Sequence, residues 1–182
     1  MLPSRLAPFA AAILLASSAA AEAPVEYSLN SGLVKFTAPA AWPVIMQKTE
    51  GNPQAIAFQV KDPAEEGSGE ATRVTVTTKL LDDPSNFQML VNADVYKGKQ
   101  MPDYEKRDDG VDPTVLRFFA RNGNTRYEYR ETWYLNARVL VHIRCARPML
   151  EKTTAQWTTD YEKGCAQIMA SAKPHIAYFA AL

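Results

Sequence analysis

The chain carries 182 residues, with 20 lysines and arginines against 20 aspartates and glutamates, two histidines and two cysteines. A formal charge of +0 leaves no basic footprint for nucleic acid, and 47% hydrophobic residues with 10% aromatics exclude a disordered chain. Eight glycines and twelve prolines exclude collagen-like or low-complexity architectures.

Residues 1–21 read as an export signal. Arg5 gives a short positive start, residues 6–16 (LAPFAAAILLA) an apolar run, and Ala19-Ala20-Ala21 a small-residue cleavage site ahead of Glu22. The run is too short for a bilayer, which takes about 20 apolar residues. No cysteine lies in this segment to accept a lipoprotein anchor. The expected division is a signal over 1–21, one domain over 22–173 and an apolar tail over 174–182. The protein is expected to be periplasmic or secreted, without stable membrane insertion. In that oxidising compartment Cys145 and Cys165 are expected to form a disulfide. A structural zinc site would normally take four Cys or His ligands. The loop so closed, roughly twenty residues, is worth about 3 kcal/mol in the chain-entropy account.

A first strand is expected within 26–38, around residues 33–37. Pro39 and Pro43, which lack a ladder donor, then break the chain. Ile56, Phe58 and Val60 alternate with Ala57, Gln59 and Lys61 as a half-buried strand. Residues 62–71 (DPAEEGSGEA) have the composition of a loop. In the next strand Val74, Val76 and Leu80 face one way, and Arg73, Thr75, Thr77 and Lys79 the other. Asp83-Pro84 marks a helix start. Phe87, Leu90, Val91 and Val95 recur on one helical face, with Gly98 as the C-terminal stop. Residues 99–113 read as a polar loop with a frayed strand.

Asn122-Gly123 between two alternating runs is a strong hairpin signal. A two-residue turn there pairs Arg121 with Asn124. It sets Phe118 opposite Tyr127, Leu116 opposite Tyr129, Arg117 opposite Glu128 and Phe119 opposite Arg126. The last two are a cross-strand ion pair and a cation–π contact. A second hairpin turns near Asn136-Ala137. A two-residue loop would set Glu131 opposite His142 and Tyr129 opposite Arg144. A three-residue loop would set Trp133 opposite Val141 and Tyr129 opposite Cys145. The three-residue register keeps apolar residues together and is the one expected. It gathers Leu116, Phe118, Tyr127, Tyr129, Trp133, Val139, Val141, Ile143 and Cys145 on one face. The other face then carries Arg117, Arg126, Glu128, Arg130, Thr132, His142 and Arg144, partly covered by the helix that bears Phe87.

Thr153 and Gln156 form a capping box for the last helix. Trp157, Tyr161, Cys165 and Ile168 run down one stripe of it, expected to lie on the apolar sheet face. Two independent periodicities thus bring Cys145 and Cys165 together. Lys173-Pro174 ends the helix, and the tail either docks as an edge strand or stays mobile.

A short strand leading to Pro39-x-x-Trp42, a strand pair, a mid-chain helix, long antiparallel strands and a C-terminal helix ending in Ser171 together resemble the Mog1/PsbP-like fold over residues 26–173. The resemblance implies an α+β fold, a single antiparallel sheet with the mid-chain helix and the long C-terminal helix packed on it. It also implies an accessory, adaptor or binding role rather than catalysis.

Motifs for catalysis, nucleotide binding or calcium are missing, so no catalytic residue, cofactor or metal ion is expected. The acidic run Asp103, Glu105, Asp108, Asp109 and Asp112 is interrupted by Lys106 and Arg107 and reads as a solvated loop. Glu131 falls between Tyr129 and Trp133, where a carboxylate needs a partner. It is expected to be a structural pair, with a ligand anchor as the second reading. Arg117, Phe119, Arg126, Arg130, His142 and Arg144 make a candidate partner surface, since arginine and aromatic residues anchor interfaces. Two functions follow. One is an exported, non-catalytic binding or accessory protein acting on a protein partner, immunity- or adaptor-like. The other is a small-ligand carrier, or less so a hydrolase, with a cleft near Trp42, Glu131 and Trp133.

Overall fold

Alternating apolar residues and two amphipathic helical stretches set the elements. The computed structural model describes residues 22–108, 112–172 and 178–179. The signal segment, Asp109, the Lys173-Pro174 helix end and the rest of the tail lie outside the described residues. Strands β1 (Val25–Leu29) and β2 (Val34–Ala38) form a separate antiparallel hairpin, so the expected first strand is two. Asn30, Ser31 and Gly32 turn it, at φ 49°, 54° and 88°. The main sheet contains β3 (Val44–Lys48), β4 (Gln54–Val60), β5 (Thr72–Leu80), β6 (Glu105–Arg107), β7 (Leu116–Asn122), β8 (Thr125–Asn136) and β9 (Val139–Pro148). Their order is β3-β4-β5-β9-β8-β7-β6, and β10 (Tyr178–Phe179) pairs with the far end of β8. Every pairing is antiparallel. With helices α1 (Phe87–Lys99) and α2 (Ala155–Ser171), the fold is α+β. Among the described residues no helix is long and apolar enough to cross a membrane.

Both hairpin registers differ from expectation, with different consequences. The β7–β8 turn is Gly123-Asn124, because Asn122 pairs with Thr125. Gly123 takes φ 59° at the first turn position, a demand glycine meets without strain. The slip is two residues, so the faces are kept. Phe118 lies opposite Tyr129, and Arg117 opposite Arg130. The expected Arg117–Glu128 and Phe119–Arg126 contacts form on the diagonal instead, at 3.2 Å and 4.3 Å.

The β8–β9 turn is Ala137-Arg138, with Asn136 paired to Val139. Trp133 lies opposite His142, Glu131 opposite Arg144 and Arg130 opposite Cys145. This corrects the expected three-residue loop, and the odd slip moves every β9 side chain to the other face. The cause is that both sheet faces are covered, so the apolar side of β9 (Val139, Val141, Ile143 and Cys145) finds a hydrophobic core on either face. Apolar matching therefore does not single out a register. Placing His142 and Arg144 around the buried Glu131 does.

One face packs Ile56, Phe58, Val74, Val76, Val141, Ile143 and Cys145 beneath α2 and the β1–β2 hairpin. Cys145 and Cys165 form the expected disulfide there, with Cα atoms 6.3 Å apart. Trp42 wedges under α2 at Gly164, where a Cβ would come within 2.3 Å of the indole. The opposite face packs Leu116, Phe118, Tyr129 and Trp133 beneath Phe87 and Val91 of α1. Hence α1 covers that aromatic face rather than the face bearing Arg117 and Arg130. Gly98 lies inside α1, its bare Cα against the Phe118 ring, and does not end the helix. The α2 cap is Thr154, which accepts from the Trp157 N–H at 3.1 Å. Thr153 instead donates to the Asp62 carboxylate, and Gln156 bonds Asp160 rather than closing a capping box.

Candidate functional site

Two glutamates on β8 are each 2% exposed. Three residues apart on a strand, they point to opposite faces. Each must find cations, because an unpaired buried carboxylate is costly.

Glu128 shares its face with α2. Arg147 reaches its Oε2 through two nitrogens, at 2.6 and 2.7 Å. Arg117, Arg107 and Arg130 approach Oε1 at 3.2, 3.5 and 3.5 Å. Burial would raise the Glu128 carboxyl, but Arg147 and Arg130 outweigh it and hold the group below its ordinary value. Burial, with Arg130 next, in turn holds the Arg117 guanidinium below its own ordinary value. Arg117 and Arg130 are directly opposed across β7 and β8, a like-charge pair that needs anions nearby. Glu162 of α2 answers Arg130. Beside them Phe119 is half-buried between the guanidiniums of Arg126 and Arg107, at 4.3 and 5.0 Å.

A cleft of about 410 Å³ opens where α2 leaves this part of the sheet uncovered. Arg117, Arg130 and Thr132 line its polar side, and Val115, Tyr134, Ala166, Met169 and Ala170 its apolar side. Cys165 stands in the wall, so the disulfide fixes α2 at the cleft. Tyr134 donates to the Ala172 carbonyl and Thr132 to the Thr114 carbonyl, the latter at 2.9 Å.

Glu131 lies on the α1 face. His142 Nε2 is 2.8 Å from one oxygen and Arg144 Nε donates to the other at 2.8 Å. The His142 ring stacks on Trp133, with centroids 4.6 Å apart. This is the structural pairing expected for Glu131. The candidate partner surface is therefore split. Arg117, Phe119, Arg126 and Arg130 share the α2 face, while His142 and Arg144 lie across the sheet. His142 is half-buried, with its ring nitrogen against the Glu131 carboxylate. Arg144 lines a separate hollow of about 360 Å³ with Glu70, Arg73, Tyr127 and Tyr129. Trp42 packs on the α2 side and Trp133 on the α1 side, so Trp42, Glu131 and Trp133 do not share one cleft.

Sequence reasoning missed Arg107, Arg147 and Glu162. Arg147 continues the alternation of Cys145, and Glu162 neighbours Tyr161 on the buried stripe, so a longer reading of both patterns held the signal. In the acidic run, Asp103 and Glu105 pair with Arg121 and Arg126. Among the described residues no group of three or more His, Cys, Asp or Glu side chains is placed to hold a metal ion. Neither a family model nor a curated protein matches the chain.

Proposed function

We propose that this chain is an exported, non-catalytic binding protein that acts on another protein, in the manner of an immunity or adaptor protein. The observation that carries this reading is the convergence of Arg107, Arg117, Arg130 and Arg147 on one buried carboxylate, next to Phe119 between two guanidiniums. Arginine and aromatic side chains are common interface anchors, and a cationic surface selects an acidic or carboxylate-bearing partner. The signal-like residues 1–21 and a disulfide suited to an oxidising compartment support export. Membership of the Mog1/PsbP-like family is part of the same proposal, supported by element order and by an antiparallel sheet with a helix on each face.

Expression of the full chain tests export: cleavage after Ala21 and recovery outside the cytoplasm are expected, and cytoplasmic retention overturns it. Affinity capture from the same extract tests binding, with the wild type beside the double variant Phe119→Ala, Arg126→Ala. A partner held by the wild type and lost by the variant is expected. Equal retention by both, or no specific partner, overturns the reading.

A further inference from the structure

We infer that the hollow on the α1 face lined by Glu70, Arg73, Tyr129 and Arg144 binds a small zwitterion, its carboxylate on the two arginines and its ammonium on Glu70. The site lies across the sheet from Phe119 and Arg130 and does not rest on the partner reading above.

The strand register assembles the cationic side. Arg73 pairs with Ala146 and Thr75 with Arg144, so Arg73 and Arg144 are diagonal neighbours on one face of β5 and β9. Arg73 is exposed, and its guanidinium has no partner among the described residues. Arg144 gives its Nε–H to Glu131, and its two terminal nitrogens have no partner among them either. Neighbouring guanidiniums with donors to spare suit a carboxylate, whose two oxygens match the planar fork.

Glu70 supplies the anionic side. Its carboxylate accepts from the Thr125 hydroxyl at 2.6 Å and the Tyr127 hydroxyl at 2.5 Å, and these bonds hold the group below its ordinary value. It therefore stays charged, with lone pairs left for an ammonium.

Tyr129 marks the hollow as more than a solvated surface. The residue is 5% exposed, yet its hydroxyl has no hydrogen-bond partner among the described residues. Burial above all holds the phenol above its ordinary value, so it keeps a proton to donate. The charges of Arg144 and Glu70 also act on it, which sets it on the wall those two groups share. A nearly buried donor is costly to leave unmet, and a carboxylate on the arginines would meet it.

Charge selects among anions. Arg73 and Arg144 are balanced by Glu70 and Glu131, so the hollow has no net charge to hold a dianion, whereas a zwitterion adds none. Its volume of about 360 Å³ admits a molecule of amino-acid size.

The test titrates the purified full chain, followed by NMR, with two zwitterions of different span, L-alanine and 4-aminobutyrate. Propionate and ethylamine serve as single-charge counterparts. Saturable binding of at least one zwitterion is expected, with both counterparts about tenfold weaker or worse, the loss of one charge-assisted contact. A counterpart that binds as tightly overturns the zwitterion. Inorganic phosphate binding more tightly than either overturns it in favour of a simple anion site. No saturation by either zwitterion overturns the site. Tyr129→Phe removes the unmet hydroxyl and keeps the ring stacked on Phe118, so binding should fall about tenfold with thermal unfolding unchanged. Retained binding, or a lowered unfolding temperature, overturns the role of that hydroxyl. Arg73→Gln, at an exposed position without a partner, should weaken the zwitterion to a similar degree. Equal affinity there overturns the place given to the carboxylate.

Discussion

Glu128 and Glu131 are equally buried neighbours on one strand, yet one serves four guanidiniums and the other a single guanidinium and an imidazole. Around Glu131 each carboxylate oxygen has one partner, and α1 packs over the aromatic residues beside it. Around Glu128 four guanidiniums crowd one carboxylate, and a cleft opens between α2 and Arg117 and Arg130. A matched buried pair fixes how strands align. A crowded one sets two guanidiniums, Arg117 and Arg130, at the wall of a cleft.

The largest expected effect comes from breaking the crowded side. Glu128→Gln leaves its arginines without their common anion and should cost about 3–5 kcal/mol, read as a lower urea midpoint. The pH dependence follows. The folded Glu128 carboxyl lies below its ordinary value of 4.5. Its contribution is therefore fully present above that value and is lost as pH falls through the lower, folded one. Glu70, held down by Thr125 and Tyr127, titrates with the same sign. A wild-type minus Glu128→Gln difference curve isolates the arginine-held group, and a difference independent of pH below 4.5 contradicts the assignment.

Next in size is the covalent tie, which only the α2 face has. Replacing both Cys145 and Cys165 with alanine should cost about 3 kcal/mol. Amide exchange should quicken in α2 and leave α1 unchanged. Equal loosening of both helices would mean that the two faces unfold as one unit. Smaller again is Glu131→Gln, at about 1–3 kcal/mol by unfolding in urea. Arg144 is 42% exposed and can turn its charge to water, a recourse that Arg117, Arg130 and Arg147 around Glu128 have far less of.

The disulfide was legible because Cys145 belongs to a strand alternation and Cys165 to a helical stripe, two local signals that agree. Asp83-Pro84 opens only a short 3-10 turn and α1 begins at Phe87, whereas helix α2 was legible from the threonines before Ala155 to within a residue. The β8–β9 register was not, since its choice rested on one sheet face being polar and both faces are covered. A one-residue error there moved His142 and Arg144 to the wrong side and joined two charge clusters into one surface. The cleft was beyond sequence altogether. Its lining comes from α2, β7, β8 and the segment before β7, and no local pattern records where a helix ends its cover of a sheet.

The smallest expected effect tests the turn that keeps the two glutamates distinct. Ala137 holds φ 52° as the first residue of the two-residue turn. A left-handed backbone costs an L-residue about 1–2 kcal/mol, and glycine avoids this while losing about 0.5–1 kcal/mol of extra chain entropy on folding. Ala137→Gly should therefore raise stability by about 0.5–1 kcal/mol, a modest rise in the urea midpoint. The strain is tolerated because a three-residue loop would relieve it only by moving β9 one step, taking His142 and Arg144 away from Glu131. If Ala137→Gly destabilises instead, the turn does not carry this strain, and the register must be held by the Glu131 contacts alone.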